Sequence, residues 1–183
     1  MSGGGEPSAG RCSKLSFVKL YVMRHGPAED EAASSRDEDR ALTVSGRDRV
    51  RGVAGLLVDA NEAPLCVVSS PLVRALQTAE IVAAATKLSA KGGSVEVRRE
   101  LAPGGDGVLL VKSLLSNKKR ALVVGHEPDL SALLADLLGE PLPVPMEKAM
   151  VVGLSVKPAT AALRFILEPK ALALTIDLRE RPS

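Results

Sequence analysis

The sequence predicts a three-layer α/β/α domain whose central sheet is mostly parallel and ends, near the C-terminus, in an antiparallel edge. Three observations carry that expectation. From Phe17 onward, short apolar runs of β type alternate with helix-period segments, the pattern of βα units around a parallel sheet. The β-type runs are apolar along their whole length rather than alternately, as in Leu65-Cys66-Val67-Val68 and Ala121-Leu122-Val123-Val124, so both faces of the sheet should be covered. The alternation breaks only at the end of the chain, where Pro141, Pro143 and Pro145 precede two successive β-type runs.

Taken in order, Val18 to Met23 reads as the first strand, followed by a polar, acid-rich loop from Pro27 to Arg40. A helix follows from about Ser45 to Asp59, with Val50, Val53, Ala54 and Leu57 on one face and Thr43 or Ser45 as its cap. A second strand, Leu65 to Ser69, leads into Pro71 at a first-turn position and a helix to about Leu88. After the break at Gly92-Gly93 come a short strand from Ser94 to Arg98 and a helix from Gly104-Gly105-Asp106 to about Leu115. Arg120 to Val124 forms the next strand, and a further helix runs from near Pro128 to Gly139. The final runs, Ala149 to Val156 and Ala161 to Leu167, read as a hairpin at a sheet edge.

Length and composition narrow the functional classes. At 183 residues, 45% hydrophobic and 25% charged, the chain fits one soluble globular domain, large enough to bury about 70% of the surface its unfolded form exposes. Residues 1–14, small, polar and poor in acids, are expected to be a flexible tail, and 15–183 a single domain. A net charge of +2, from 24 basic and 22 acidic residues, gives no case for a polyanionic partner, and one Tyr and two Phe leave few surfaces for base stacking. No nucleic-acid partner is expected. No apolar stretch approaches a membrane span, and the first residues lack the apolar core of a secretory signal. The expectation is a cytoplasmic monomer with no membrane partner; an organellar location is the alternative should the tail be a transit remnant. Of the two cysteines, Cys12 lies in the tail and Cys66 in a strand, so Cys66 should be buried and no disulfide framework is expected.

The chemistry concentrates at three strand-to-helix junctions. These are Arg24-His25-Gly26, Ser69-Ser70-Pro71-Leu72-Val73-Arg74, and Gly125-His126-Glu127-Pro128. Open α/β sheets bind ligands at the carboxyl ends of their strands, so both histidines of the chain and two arginines should converge there. Arginine forks and helix N-termini suit phosphoryl oxygens. A neutral imidazole, kept neutral by neighbouring arginines, is the nucleophile available near pH 7, which predicts a phosphohistidine intermediate. Two histidines so far apart, with no cysteine cluster, define no metal site, and no cofactor is expected.

Four segments in order resemble the histidine phosphatase superfamily, the phosphoglycerate mutase-like proteins. They are Arg24-His25-Gly26, Leu42-Thr43-Val44-Ser45-Gly46, the run from Ser70-Pro71-Leu72-Val73-Arg74 to Ala75-Leu76-Gln77-Thr78-Ala79, and Gly125-His126. Glu100-Leu101-Ala102-Pro103-Gly104-Gly105-Asp106 and Gly125-His126-Glu127-Pro128-Asp129-Leu130 further resemble the SixA-type phosphohistidine phosphatases. The resemblance implies that His25 is the nucleophile, that Arg24 and Arg74 clamp the phosphoryl oxygens, and that His126 donates to them. Ser70 is added as a helix-terminal contact and Arg40 as a substrate-side charge. The Trp-Glu-Gly segment that carries the general acid of mutase-type relatives has no counterpart in this chain, which has no Trp. Glu100 and Asp106 are the carboxylates next in line for a proton donor, although structural roles fit them as well.

Three readings follow. The first is a metal-independent phosphatase that cleaves phosphohistidine on proteins, since an imidazole leaving group needs less acid assistance than an alkoxide. The second is a phosphomonoesterase or mutase of small phosphorylated metabolites, and the third a phosphate-binding regulatory module of low activity. The loop Glu29-Asp30-Glu31 and Arg36-Asp37-Glu38-Asp39-Arg40 is read plainly as a solvated connection; its mixed charges would alternatively select a basic or protein-borne substrate.

Overall fold

A computed structural model describes residues 17–30, 36–115, 120–157, 160–171 and 173–174; the expected N-terminal tail and Cys12 lie outside them. Seven strands form one sheet in the order β3-β2-β4-β1-β5-β6-β7. The strands are β1 (Val18–Arg24), β2 (Cys66–Ser69), β3 (Val95–Val97), β4 (Arg120–Gly125), β5 (Val151–Lys157), β6 (Thr160–Glu168) and β7 (Ala173–Leu174). The helices are α1 (Val44–Asp59), α2 (Val73–Ala85), α3 (Gly107–Leu115) and α4 (Asp129–Leu138). β3, β2, β4 and β1 run parallel, and β5, β6 and β7 pair antiparallel in turn. The expected three-layer arrangement with an antiparallel flank is therefore present.

Alternation along the central strands divides the core in two. Leu20 and Val22 of β1, with Ala121 and Val123 of β4, pack against α3 and α4 through Leu110, Val111, Leu114, Leu130, Leu133 and Leu134. Tyr21, Met23, Leu122 and Val124 point the other way, onto Val50, Val53, Ala54 and Leu57 of α1 and Ala75, Ala79 and Val82 of α2. Fully apolar strands result because both faces are covered. Cys66 is buried, as expected.

Two differences from expectation concern ends. α2 starts at Val73, past Pro71, because Leu72 takes extended angles as its cap. The terminal hairpin is not the outer edge: β5 is inside the sheet against β1, and a turn after Glu168 returns the short β7 onto β6.

Thr43 is the cap of α1, accepting from Gly46 N at 2.9 Å. A Cβ on Gly46 would collide with the carbonyl oxygen of Pro27, so the glycine of the Leu-Thr-x-x-Gly segment permits α1 to begin against the loop that follows His25. The neighbouring Gly26 is similarly tight: its Cβ would lie 2.7 Å from Val50 Cγ2.

Candidate active site

Strand register builds the site. β4 lies between β2 and β1, with Ser69 beside Val124 and Arg24 beside Gly125. The residues that follow leave the sheet within one residue of the same level, Ser70 beside Gly125 and His25 beside His126. Backbone bonds continue the pattern one step past the strands: Ser70 N donates to Val124 O at 3.0 Å, and His25 N to Gly125 O at 3.1 Å. The His25 and His126 rings meet with centroids 5.1 Å apart.

His25 is oriented by its neighbour. Its Nδ1 lies 2.7 Å from Gly26 O; a carbonyl only accepts, so Nδ1 carries the proton and Nε2 keeps the free lone pair. The Gly26 peptide is itself fixed, its N–H donating to Thr78 Oγ1 at 3.0 Å while Thr78 donates to Arg74 O at 2.7 Å. Gln77 Oε1 accepts from Leu42 N at 2.7 Å. Consecutive residues of α2, the helix that carries Arg74, thus tie down the loops that carry His25 and Leu42.

Ser70 sets the second imidazole. Its hydroxyl accepts from Leu72 N at 3.3 Å and lies 2.8 Å from His126 Nε2. One of its two lone pairs serves Leu72 N and its proton is free for Nε2; when the hydroxyl donates there, the His126 proton sits on Nδ1. That buried Nδ1 has no partner, and neither has the buried Nε of Arg24. Unpaired buried donors cost about 1–3 kcal/mol each, and an oxyanion would satisfy both.

The proline-rich segment before β5 has a place in this site. Arg24 Nη1 donates to Met146 O at 2.7 Å. Ala149, in the left-handed region at φ 70°, gives its amide to both Arg24 O at 3.1 Å and His25 O at 3.0 Å. A non-glycine residue held there costs about 1 kcal/mol or more, a strain spent on fixing the His25 turn.

Arg74 is 6% exposed and held by residue 37: Nη1 donates to Asp37 O at 2.6 Å and Nη2 to Asp37 Oδ2 at 2.8 Å. The other carboxylate oxygen accepts from Arg40 Nη1 at 2.8 Å, and Arg40 Nε donates to Glu29 O at 2.7 Å. Arg40 thus reaches Arg74 through Asp37, a residue that no motif had marked. Glu100 pairs instead with Arg98 at 3.8 Å, and Asp106 Oδ1 accepts from Leu109 N at 2.9 Å as a cap of α3. Neither is bonded to the two histidines or the two arginines. Glu127 caps α4 through Ser131 N and Oγ.

Burial governs the charge state. Above all by desolvation, with the arginines adding to it, the His25 imidazole is pushed down to about 3 and that of His126 to about 4. Both are neutral at pH 7. Asp37 moves the opposite way from what a proton donor needs, because its bonds to Arg40 and Arg74 lower it. Among the described residues no group of three His, Cys, Asp or Glu could hold a metal ion, and no helix is long and apolar enough to cross a membrane.

Two buried neutral imidazoles and two arginines at the carboxyl ends of the parallel strands of a mixed sheet are the features of a phosphoryl-transfer protein of α/β architecture. The histidine phosphatase superfamily (branch 1) model matches residues 20–102. Phosphohistidine phosphatase SixA of Escherichia coli K12 is 38% identical over 124 residues, which is 66% of this chain and 74% of that protein. An uncharacterized protein of Picosynechococcus is 38% identical over 117 residues, 62% of this chain and 68% of its own length. Among solved structures, the protein histidine phosphatase SixA complexed with tungstate superposes with a TM-score of 0.76 at 28% identity, covering 85% of this chain and all of that one. The chain belongs to the histidine phosphatase superfamily and is a hydrolase of the phosphatase kind.

Proposed function

We propose that the protein hydrolyses phosphohistidine on proteins through a phosphoryl-enzyme intermediate on His25. The observation that carries this reading is the Nδ1–H of His25 bonded to Gly26 O, which leaves Nε2 of a neutral ring as the nucleophile. Nε2 attacks phosphorus in line while the P–N bond of the substrate breaks. Arg24 and Arg74 neutralise the equatorial oxygens, and the orphaned Nδ1–H of His126 donates to one of them. The electron pair of the broken bond returns to the leaving imidazole, which departs neutral when its remote nitrogen is protonated. Water then attacks phospho-His25, and the same logic operates on the enzyme: Nδ1 keeps its proton on Gly26 O, so His25 also departs as a neutral ring.

The preference for a P–N bond rests on the carboxylates. The one bonded to the phosphate clamp, Asp37, is held ionised by two guanidinium groups, a poor state for protonating an alkoxide. The likeness to SixA, which is named a phosphohistidine phosphatase, supports the same choice.

The test compares kcat/KM on a phosphohistidine peptide with that on sugar and glycerate phosphates, with His25→Ala as control. The expected result is preference for the peptide and loss of turnover in the variant. Full activity in His25→Ala would remove the nucleophile assignment, and preference for the esters would favour small phosphorylated metabolites instead.

A further inference from the structure

We propose that Asp37 determines specificity for the leaving group: its carboxylate, tethered between Arg74 and Arg40, receives the protonated remote ring nitrogen of a phosphohistidine while the phosphoryl group lies against Arg74. This inference rests on the phosphohistidine reading above.

The placement comes from three bonds. Arg74 holds both the backbone oxygen and Oδ2 of Asp37, at 2.6 and 2.8 Å, and Arg40 holds Oδ1 at 2.8 Å. Each carboxylate oxygen accepts two bonds and gives one of them to an arginine, so one acceptor site remains on each. The Asp37 side chain is 48% exposed against 7% for Arg74, which leaves those sites open at the mouth of the pocket. The loop is braced there. Residues 37–39 form a single 3-10 turn, and the loop ends are pinned by Glu29 N to Ala41 O at 2.9 Å and Thr43 N to Pro27 O at 3.1 Å.

Charge then chooses the ligand. A carboxylate beside a phosphoryl dianion repels it, and an uncharged alcohol as leaving group brings no charge of its own to set against that repulsion. A protonated imidazole offers both a positive charge and an N–H. The reaction has a matching requirement on its other side, because transfer runs between two imidazoles. His25, which accepts the phosphoryl group on Nε2, keeps its Nδ1 proton on an oxygen, Gly26 O. The departing ring needs its remote proton held likewise, and Asp37 supplies the oxygen. No proton moves to or from the carboxylate: the P–N pair neutralises the ring, and the N–H stays on the nitrogen that brought it.

The test measures kcat/KM of wild type, Asp37→Asn and Asp37→Glu on a phosphohistidine peptide and on para-nitrophenyl phosphate, whose leaving group needs no proton and offers no N–H. The asparagine keeps a carbonyl oxygen for Arg74 but loses the charge. The expected result is a fall of about 10- to 100-fold in the ratio of peptide to aryl phosphate activity in Asp37→Asn, the worth of a hydrogen bond to a charged group, with the ratio largely restored in Asp37→Glu. Equal losses on both substrates would reduce Asp37 to a support for Arg74, and faster turnover of the peptide would make it an obstruction; either overturns the inference alone. A wild type inactive on phosphohistidine would sink the functional reading along with it.

Discussion

The rings of His25 and His126 lie 5.1 Å apart, and each has one nitrogen engaged and one left free: Nδ1 of His25 is on Gly26 O, and Nε2 of His126 is on Ser70 Oγ. His25 thus presents a lone pair, and His126 presents a proton from Nδ1 when Ser70 donates to its Nε2. Their engagement, together with burial, leads to consequences that solution measurements can reach.

The chain has two histidines, so their NMR signals can be followed without crowding. With His25 pushed down to about 3 and His126 to about 4, both imidazole C–H resonances should hold steady from pH 8 to about pH 5 in the ligand-free protein. A signal that titrated near pH 6.5 would contradict the burial of that ring.

Stability should fall with acid in a defined window. The histidines have lower pKa values folded than unfolded, so below about pH 6.5 the unfolded chain takes up protons that the folded chain refuses. At pH 5 each imidazole costs at most about 2 kcal/mol relative to pH 7, visible as a lower urea midpoint. The variant His25→Asn/His126→Asn should lose most of that slope between pH 7 and pH 5.

Removing the Ser70 hydroxyl should affect turnover through His126. Without it Nε2 has no fixed partner, the ring is free to carry its proton on either nitrogen, and kcat should drop by about 10-fold in Ser70→Ala, less than in His126→Ala. An unchanged kcat would show that the tautomer of His126 does not depend on Ser70.

Glu62 offers a stability test remote from the chemistry. Its carboxylate, 11% exposed, accepts from Lys19 Nζ at 2.9 Å, from Tyr21 Oη at 2.6 Å and from Arg164 Nη1 at 3.0 Å. These bonds outweigh burial and hold it down at about 2, so its contribution is present above about pH 4.5 and lost as pH falls toward 2. Glu62→Ala leaves two cations and a phenol unpaired and should cost about 2–3 kcal/mol at pH 7, discounted for the partial exposure of Lys19 and Arg164. A midpoint of thermal unfolding unchanged from wild type would refute this, and kcat on aryl phosphate should stay at the wild-type value.

Most of the architecture was legible because it rests on local signals. The apolar runs from Val18 and Arg120, the cap at Thr43 and the proline at position 71 each mark an element within a few residues. The convergence of Arg24, His25, Ser70, Arg74 and His126 was legible too, since parallel strands bring their carboxyl ends to one rim. What escaped were relationships with no local pattern. Asp37 sits in a run of five charged residues, and nothing in Arg36-Asp37-Glu38-Asp39-Arg40 says which carboxylate will face Arg74. Met146 contributes a backbone carbonyl, which any residue type would supply, and Ala149 a left-handed turn in a residue that seldom adopts one. Glu62 takes partners 43, 41 and 102 positions away, separations that no window along the chain spans.

The bonds from Met146 and Ala149 to the turn at Arg24 and His25 also impose an order in time. His25 lies in the first sixth of the chain, yet its turn lacks these two braces until residue 150 or so has left the ribosome, seconds later at about 5–20 residues per second. A nascent chain that already displays β1, β2 and β4 therefore carries every side chain of the pocket without a finished pocket, so the growing polypeptide should not compete for phosphorylated partners before its antiparallel strands arrive.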